Sequence, residues 1–541
     1  MARAPPPMEL HMFFDSRRST VLAKNGMVAT SQPLGAMAGL RIMMEGGNPV
    51  DAAVATAAAL NVVEVVSTGV GGDMFAMVWN NNDKSIRAIN GSGRAPAAAS
   101  LKELTGQGHR EIPFFSPYTI TVPGTVHGWE TILNECGTMP LSEVLKPAIH
   151  YAEEGFPVSD YISYQWSTMV EKLSLLPSGQ EMLINGRSPR QGEVMHLPEL
   201  GRTLRAIAEG GSEAFYKGKI AEKMASFVQE HGGWLATEDL ADHTSNWEEP
   251  ISTNYRGVTC WESPPADHGI AALEALNIAE GWDVGAMGSQ TPETYHHFIE
   301  AMRLAFADAF RYVADPTMAD VPVMQLLSKD YAAQRRALID PSRAMKTAPY
   351  GQVTGGSDTV YISCVDGKGN ACSFINSVYN NFGTGMIVPG TGIALHNRGS
   401  LFSLDPGHPN ALAPGKRPYH TIIPALATKD NELWLCYGVM GAFMQPQGHL
   451  QVIRNMVDFG MDPQKAINAL RFMVTGDSVL LEEGLSNDVI SKLRQMGHNV
   501  GMVSGYQRVS IGGAQVIQRD PGTGVLTGGS EPRKDGCAVG W

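Results

Sequence analysis

DTVYISCVDGKGNACSFINS, residues 358–377, is two β-rich runs around one glycine-bearing turn. Thr, Val, Ile, Tyr and Phe suit a pleated, half-buried surface. Gly367-Lys368-Gly369 between the runs is a three-residue hairpin signal. Pairing Asp366 with Asn370 fixes the register of the rest. It carries Thr359 opposite Ser377, and directly opposed side chains lie about 5 Å apart. Two hydroxyls therefore meet at the open end of the hairpin. Read alone, Thr359 is an ordinary β-branched strand opener.

Working outward, GGNPVDAAVATAAALNVVEVV (residues 46–66) is a helix. Asn48 is its N-cap, Pro49 its first residue, and Asp51 favours its positive end. It is apolar on nearly every face, so it belongs inside. A glycine-rich loop, Ser67 to Asp73, leads to the strand MFAMVW. Thr294 to Val313 is a second helix, apolar at 3–4 spacing. Thr421 to Ala427 is strand-like, with Pro424 demanding an edge or bulge, and so is Glu432 to Tyr437. GVMGAFMQPQGH (residues 438–449) precedes an amphipathic helix, LQVIRNMVDFG. Hairpin-paired strands mixed with helices favour α+β stacked sheets over a doubly wound dinucleotide fold.

The chain has 41 Lys+Arg against 54 Asp+Glu, a net charge of −13. That argues against a nucleic-acid partner, which needs a basic face. Charged residues are 18% of the chain, below the roughly 25% usual for soluble domains, so much of it is buried. None of the six cysteines forms a C-x-x-C pair, and scattered thiols fit a reducing compartment. The N-terminus holds no apolar run of signal-peptide length. Val50 to Val66 is interrupted by Asp51, Asn61 and Glu64, too polar to span a bilayer. The expectation is a soluble cytoplasmic protein with no membrane association. At about 150 residues per domain the length suggests three or four domains.

Phosphate-loop, H-E-x-x-H and G-x-S-x-G motifs are missing, so no cofactor is expected. His296 and His297 adjoin on a helix and point to different faces, so no metal is expected either. What remains is a hydroxyl nucleophile, which needs a base. A threonine at a chain N-terminus has one in its own α-amine. An internal threonine reaches that state only if the bond before it is cut.

The chain resembles the gamma-glutamyltransferase family of N-terminal-nucleophile hydrolases. The likeness rests on GGNPVDAAVATAAALNVVE, STGVGGDMF, the RAP at Arg94 to Pro96, VPGTVHGW, GGWLATEDL, NYRGV, ESPPADHGI and EAMRLAFADAFRYVADP. It continues through DTVYISCVDGKGNACSFINS, FGTGMIVPGTGIALHNR, GKRPYHTIIPAL and GVMGAFMQPQGH, in that order. The resemblance implies a four-layer αββα sandwich, made as one precursor and cut between Asp358 and Thr359. Residues 1–358 would form a large subunit and 359–541 a small one, with possible higher homo-oligomers. Thr359 would be the nucleophile, Ser377 its hydroxyl partner, and the Gly441 and Ala442 amides the oxyanion hole. Ala442 keeps the N–H of the family's second glycine but restricts φ.

The resemblance also implies a substrate pocket at Asn376, Tyr379, Tyr419, His420 and Thr421. There the chain departs from a glutathione enzyme. Arg398 and Leu401 stand where the family grips the substrate amine with Gln and Asp. A cation repels an ammonium, and Leu removes the counter-charge. The family's carboxylate-binding Arg corresponds to Ser92, with Arg94 nearby. The pattern looks more like the cephalosporin (glutaryl) acylase and oxamate amidohydrolase branches, with Arg398 and Arg94 on a substrate carboxylate. His420 is either a pocket residue that tunes the site near neutral pH or a hydrogen-bonded wall. His127 and His449 read as structural. The Asn397 to Pro418 segment is short, leaving an open pocket that favours hydrolysis over transfer. The leading expectation is a self-processing hydrolase of a small carboxylate-bearing amide. The alternatives are a genuine gamma-glutamyl hydrolase or transpeptidase and a catalytically idle, ligand-binding member.

Overall fold

Alternation of side chains decides which way each strand faces, and the central hairpin shows it. The computed structural model describes residues 18–346 and 359–541. In it Val360–Asp366 and Ala371–Ser377 pair antiparallel, Val360 opposite Asn376 and Ser363 opposite Ser373. Gly369 takes φ +85° in the turn, a left-handed value that favours glycine. The Asp366 amide donates to the Asn370 carbonyl at 3.1 Å. The register is the one that pairing Asp366 with Asn370 requires.

The hairpin lies in the middle of a seven-stranded sheet. Its order is Cys537–Gly540, Gly26–Thr30, Val360–Asp366, Ala371–Ser377, Asp73–Asn80, Ser85–Gly91 and Asn246–Glu248. A second seven-stranded sheet runs Val21–Ala23, Leu526–Ser530, Gly513–Arg519, Glu432–Met440, Ala425–Lys429, Val258–Glu262 and Ile251–Tyr255. Each sheet draws strands from both sides of residues 347–358.

Val360, Ile362, Cys364, Cys372 and Phe374 join the apolar core formed with helices Pro33–Met44 and Pro49–Val63. Tyr361 and Ile375, of opposite parity, turn to the second sheet and meet Phe75, Ile422 and Met440. The second sheet's far side carries Gly269–Ala279 and Met444–Val457. The layers are helix, sheet, sheet, helix: the α+β four-layer αββα sandwich.

Helix Pro49–Val63 is held by a capping box. The Asn48 side chain accepts from the Val50 and Asp51 amides at 2.8 and 3.2 Å, and Asp51 accepts from the Asn48 amide at 2.7 Å. All of its residues are buried. The neighbouring helix approaches so closely that a Cβ on Gly39 would lie 2.1 Å from Thr56 Oγ1. No helix among the described residues is long and apolar enough to cross a membrane.

Three boundaries differ from the sequence expectation. The strand expected from Thr421 starts at Ala425, because Pro424 has no N–H to give a ladder. The Ile423 amide bonds the Gln445 side chain instead, at 2.8 Å. The next strand extends past Tyr437 to Met440, and the helix after it starts early, at Met444.

Candidate active site

Thr359 and Ser377 close the open end of the hairpin. Their hydroxyl oxygens are 3.1 Å apart and both side chains are fully buried. The Ser377 oxygen also receives the Tyr379 amide at 2.9 Å and Arg398 Nη2 at 3.2 Å. Tyr379 reaches this contact at φ +72°, a conformation that costs a non-glycine residue about 1–2 kcal/mol. Asp358, the other expected cleavage residue, lies outside the described residues.

The second sheet supplies the opposite wall. Ser363 Oγ donates to the Cys436 carbonyl at 3.1 Å, and Gly438 lies so close to the Tyr361 ring that a Cβ would sit 2.3 Å from it. Tyr361 also packs against Met440, the last residue of that strand, which Gly441 and Ala442 follow. These two take φ +127° and +46°, so Ala442 adopts the left-handed conformation despite its Cβ. Among the described residues neither amide has a hydrogen-bond partner. Two N–H groups presented together just before a helix N-terminus form an anion-stabilising corner. Behind it, His449 Nε2 accepts the Val439 amide at 3.1 Å while Nδ1 meets Glu262 at 2.7 Å. His449 thus anchors the end of the strand that carries the turn.

Charge enters through Arg398, which is fully buried. Its Nη1 donates to Thr421 Oγ1 at 2.7 Å, its Nε lies 3.4 Å from Asp73 Oδ2, and its plane covers the Tyr379 ring at 4.6 Å. Asp73 pairs with Ser377 in the sheet ladder. It also accepts the Gly93 amide at 3.2 Å and contacts His396 Nδ1 at 3.0 Å. Burial works against the Asp73 carboxylate, but His396, His420 and Arg398 hold its pKa well below the usual carboxylate range. His420 packs against Phe75, ring centroids 5.0 Å apart and planes tilted by 56°, with Nε2 3.9 Å from Asp73. Burial, reinforced by Arg398, pushes its pKa well down, so the ring is neutral at physiological pH. Neither ring nitrogen has a hydrogen-bond partner among the described residues. Beside it Asp267, raised by burial, keeps one unpartnered oxygen.

Thr359, Ser377, Tyr379, Arg398, Thr421 and His420 are thus gathered around Asp73. Three expected pocket residues are not. Asn376 faces away from Thr359: its amide donates to the Asp73 carbonyl and to Thr125 Oγ1, both at 3.0 Å. Parity explains this, because a residue adjacent to Ser377 in a strand must face the other way. Arg94 bonds Asn246 Oδ1 at 3.2 Å, a group it shares with Arg417 at 2.8 Å. Tyr419 is packed on Phe310 and Phe443, with its hydroxyl 3.1 Å from His268 Nδ1.

Sequence reasoning missed Asp73 and His396, which meet across 323 residues, and Asp267, which bridges to His420. It also missed a buried trio. His296 and Glu300 stand one helical turn apart, a spacing the sequence displays, and join His498; their donor atoms all lie within 4.8 Å. His296 Nδ1 is 2.8 Å from His498 Nε2, and Glu300 is held by Arg303 at 3.0 Å and the Met345 amide at 2.8 Å. His498 Nδ1 lies 3.9 Å from Glu300 and has no hydrogen-bond partner among the described residues.

The four-layer αββα sandwich, with a buried hydroxyl pair at the end of its central hairpin, is that of an N-terminal-nucleophile amidohydrolase. The chain belongs to the gamma-glutamyltranspeptidase family, whose model matches residues 35–541. It is 37% identical over 530 residues to the glutathione hydrolase-like YwrD proenzyme of Bacillus subtilis, covering 96% of this chain and 99% of that protein. It is 34% identical over 536 residues to the oxamate amidohydrolase proenzyme of Klebsiella pneumoniae, covering 97% and 100%. The crystal structure of cephalosporin acylase from Bacillus halodurans superposes with a TM-score of 0.91 at 44% identity, covering 100% of this chain and 99% of that one.

Proposed function

We propose that the chain is a precursor that cuts itself before Thr359 and then hydrolyses a small amide whose acyl part carries a carboxylate. The parts would be residues 1–358 and 359–541, interleaved in both sheets. The observation that carries the reading is the buried Thr359–Ser377 hydroxyl pair at the open end of the hairpin, and it is supported by the Gly441 and Ala442 amides, which have no hydrogen-bond partner among the described residues. In the cut enzyme the Thr359 α-amine takes the hydroxyl proton as Oγ1 bonds the substrate carbonyl carbon. The carbonyl π pair moves to its oxygen, which the two amides receive; each such donor is worth roughly 3 kcal/mol. Collapse expels the amine with that proton and leaves an ester on Thr359. Water, deprotonated by the same amine, then frees the acid.

Charge supports the substrate class. Three guanidiniums, Arg398, Arg417 and Arg94, lie in or behind the site. The two carboxylates nearest to them whose pKa is lowered are Asp73 and Asp315. Burial raises the pKa of Asp267 well above the usual carboxylate range and pushes that of Glu248 up to about 7. The surplus is positive, which suits an anionic acyl group and penalises the ammonium of a γ-glutamyl donor. The ring nitrogens of His420 and one oxygen of Asp267, without hydrogen-bond partners among the described residues, are polar atoms that a substrate could meet.

Denaturing electrophoresis with N-terminal sequencing tests the cut: the smaller fragment is expected to begin Thr-Val-Tyr-Ile. A single uncut band in freshly folded protein, with no turnover, would sink the proposal in favour of an idle ligand binder. Comparing glutaryl-anilide, oxamate and γ-glutamyl-anilide tests the substrate. Faster turnover of the γ-glutamyl compound would overturn the substrate class and leave the nucleophile standing.

A further inference from the structure

We infer that His296, Glu300 and His498 form a binding site for one zinc-class divalent cation, which fastens the turn before strand Asn499–Val503 to helix Pro292–Tyr312. The site shares no residue with the group around Thr359, and it stands whether or not Thr359 is the nucleophile.

The ring protons of the two histidines leave the trio unsatisfied. His296 Nε2 lies 2.7 Å from the Asp340 carbonyl. A carbonyl can only accept, so Nε2 holds the proton and Nδ1 of the neutral ring presents a lone pair. That lone pair faces His498 Nε2 at 2.8 Å. If His498 Nε2 donates to it, the lone pair on His498 Nδ1 has no hydrogen-bond partner among the described residues, with Glu300 Oε1 3.9 Å away. If Nδ1 holds the proton instead, two lone pairs confront each other across 2.8 Å. His296 and Glu300 are fully buried and His498 is 4% exposed, and burial makes an unpaired polar atom costly. A carboxylate and two imidazoles converge there, and an acceptor of electron pairs is what they lack.

The donor set suits zinc. Ligand atoms of the three residues all lie within 4.8 Å of one another. Two histidines and a glutamate, with water as the fourth ligand, make a tetrahedral zinc set, and imidazole disfavours magnesium and calcium. The ion would take the place of the proton between the rings, that proton moving to His498 Nδ1. Zinc–nitrogen bonds of about 2.0–2.1 Å put two tetrahedral ligands roughly 3.3 Å apart, so the rings part slightly on binding. Burial pushes the pKa of both histidines down, that of His498 to about 3, which keeps them neutral and able to ligate.

Outer contacts hold the donors in place, as metal sites require. The Asp340 carbonyl fixes the His296 ring, and the Met345 amide donates to Glu300 Oε2 at 2.8 Å. Arg303 donates to Glu300 Oε1 at 3.0 Å, with the Met345 and Asp477 carbonyls as its further acceptors at 3.4 and 3.3 Å. Its charge opposes a second cation, so the site is weaker than a zinc finger. The Ala344 amide bonds the Met496 carbonyl at 2.7 Å. The ion would therefore join residues on both sides of residues 347–358, a structural task.

Full-length protein stripped with a chelator and dialysed is titrated with Zn²⁺, with Mg²⁺ for comparison and Co²⁺ for its spectrum. The expected result is one equivalent of zinc, no magnesium, a tetrahedral cobalt absorption envelope and a Tm that climbs with zinc concentration. H498A and E300Q should each weaken zinc binding by more than the roughly 10–100-fold that losing an outer partner costs. E300Q keeps the side-chain shape and an oxygen for Arg303, so the test survives a folding failure in H498A. Absence of stoichiometric zinc on the wild type would overturn the inference. Zinc held as tightly by either folded variant would overturn it too, placing the ion elsewhere, and so would an octahedral cobalt spectrum.

Discussion

The two faces of one hairpin do different work. On the face toward the second sheet, Thr359, Ser363, Ser373 and Ser377 alternate with nothing but Tyr361 and Ile375 between them. Their hydroxyls bond one another, the Cys436 carbonyl and the Ala425 amide. On the face toward the helices, Val360, Ile362, Cys364, Cys372 and Phe374 are fully buried in a large apolar core. The apolar face locks the register, since a one-residue slip would exchange the two sets. The polar face uses that locked register to set two hydroxyls 3.1 Å apart. Placement of the Thr359 hydroxyl, the proposed nucleophile, is thus a by-product of packing on the opposite face.

The comparison breaks most completely at Thr359. T359A is expected to fold, remain a single 541-residue chain and show no turnover, since no other group supplies both nucleophile and base. Electrophoresis and an activity assay check this. The largest effect on the other face is expected at Phe374. F374A opens a cavity against helix Pro49–Val63 and should cost about 3–5 kcal/mol in denaturant unfolding. The fraction that stays folded should keep its kcat/KM. Unchanged stability would show that the register does not depend on that face.

S377A comes next. It removes the one hydroxyl shared by Thr359, Tyr379 and Arg398. Self-cleavage and kcat should each fall on the order of 10–100-fold, about 1.4–2.7 kcal/mol, in stopped time courses. N376A, one residue away and facing the helices, should lower stability by about 1–2 kcal/mol for its two lost hydrogen bonds. KM and kcat should hold. A KM rise in N376A would return Asn376 to the pocket.

The same comparison shows what the sequence carried. The hairpin register was legible because alternation, a glycine turn and one pair of residues determine it locally. Parity alone also places Asn376 on the face opposite Ser377, a signal present in the sequence and outweighed there by family likeness. Asp73 was not legible. Its importance comes from contacts with Arg398 and His396, more than 320 positions away, and no local pattern encodes them. The strand start at Thr421 misled because β-branched residues were weighed above Pro424. Ending the ladder there is what releases the Thr421 side chain to Arg398.

The smallest expected effect lies in how acid acts on the polar face. The Asp73 pKa is lower in the folded protein than in the unfolded chain, so its carboxylate stabilises the fold above the unfolded value of about 3.9. That stability is lost as pH falls through the folded value. His420, whose folded pKa is depressed by burial, gives up its share earlier, below about 6.5. Unfolding free energy should therefore begin to drop below about pH 6.5 and drop further below about pH 4. Each proton taken up on unfolding contributes at most about 1.4 kcal/mol per pH unit. D73N starts from a lower plateau, because Arg398 loses its buried partner, but it should show a shallower slope below pH 4, since Glu531, Glu482 and Asp315, also lowered, keep theirs. F374A should shift the whole curve down with its shape intact, since it removes packing and no titrating group. Equal slopes below pH 4 in D73N and wild type would mean that Asp73 is not the charge that holds the polar face together.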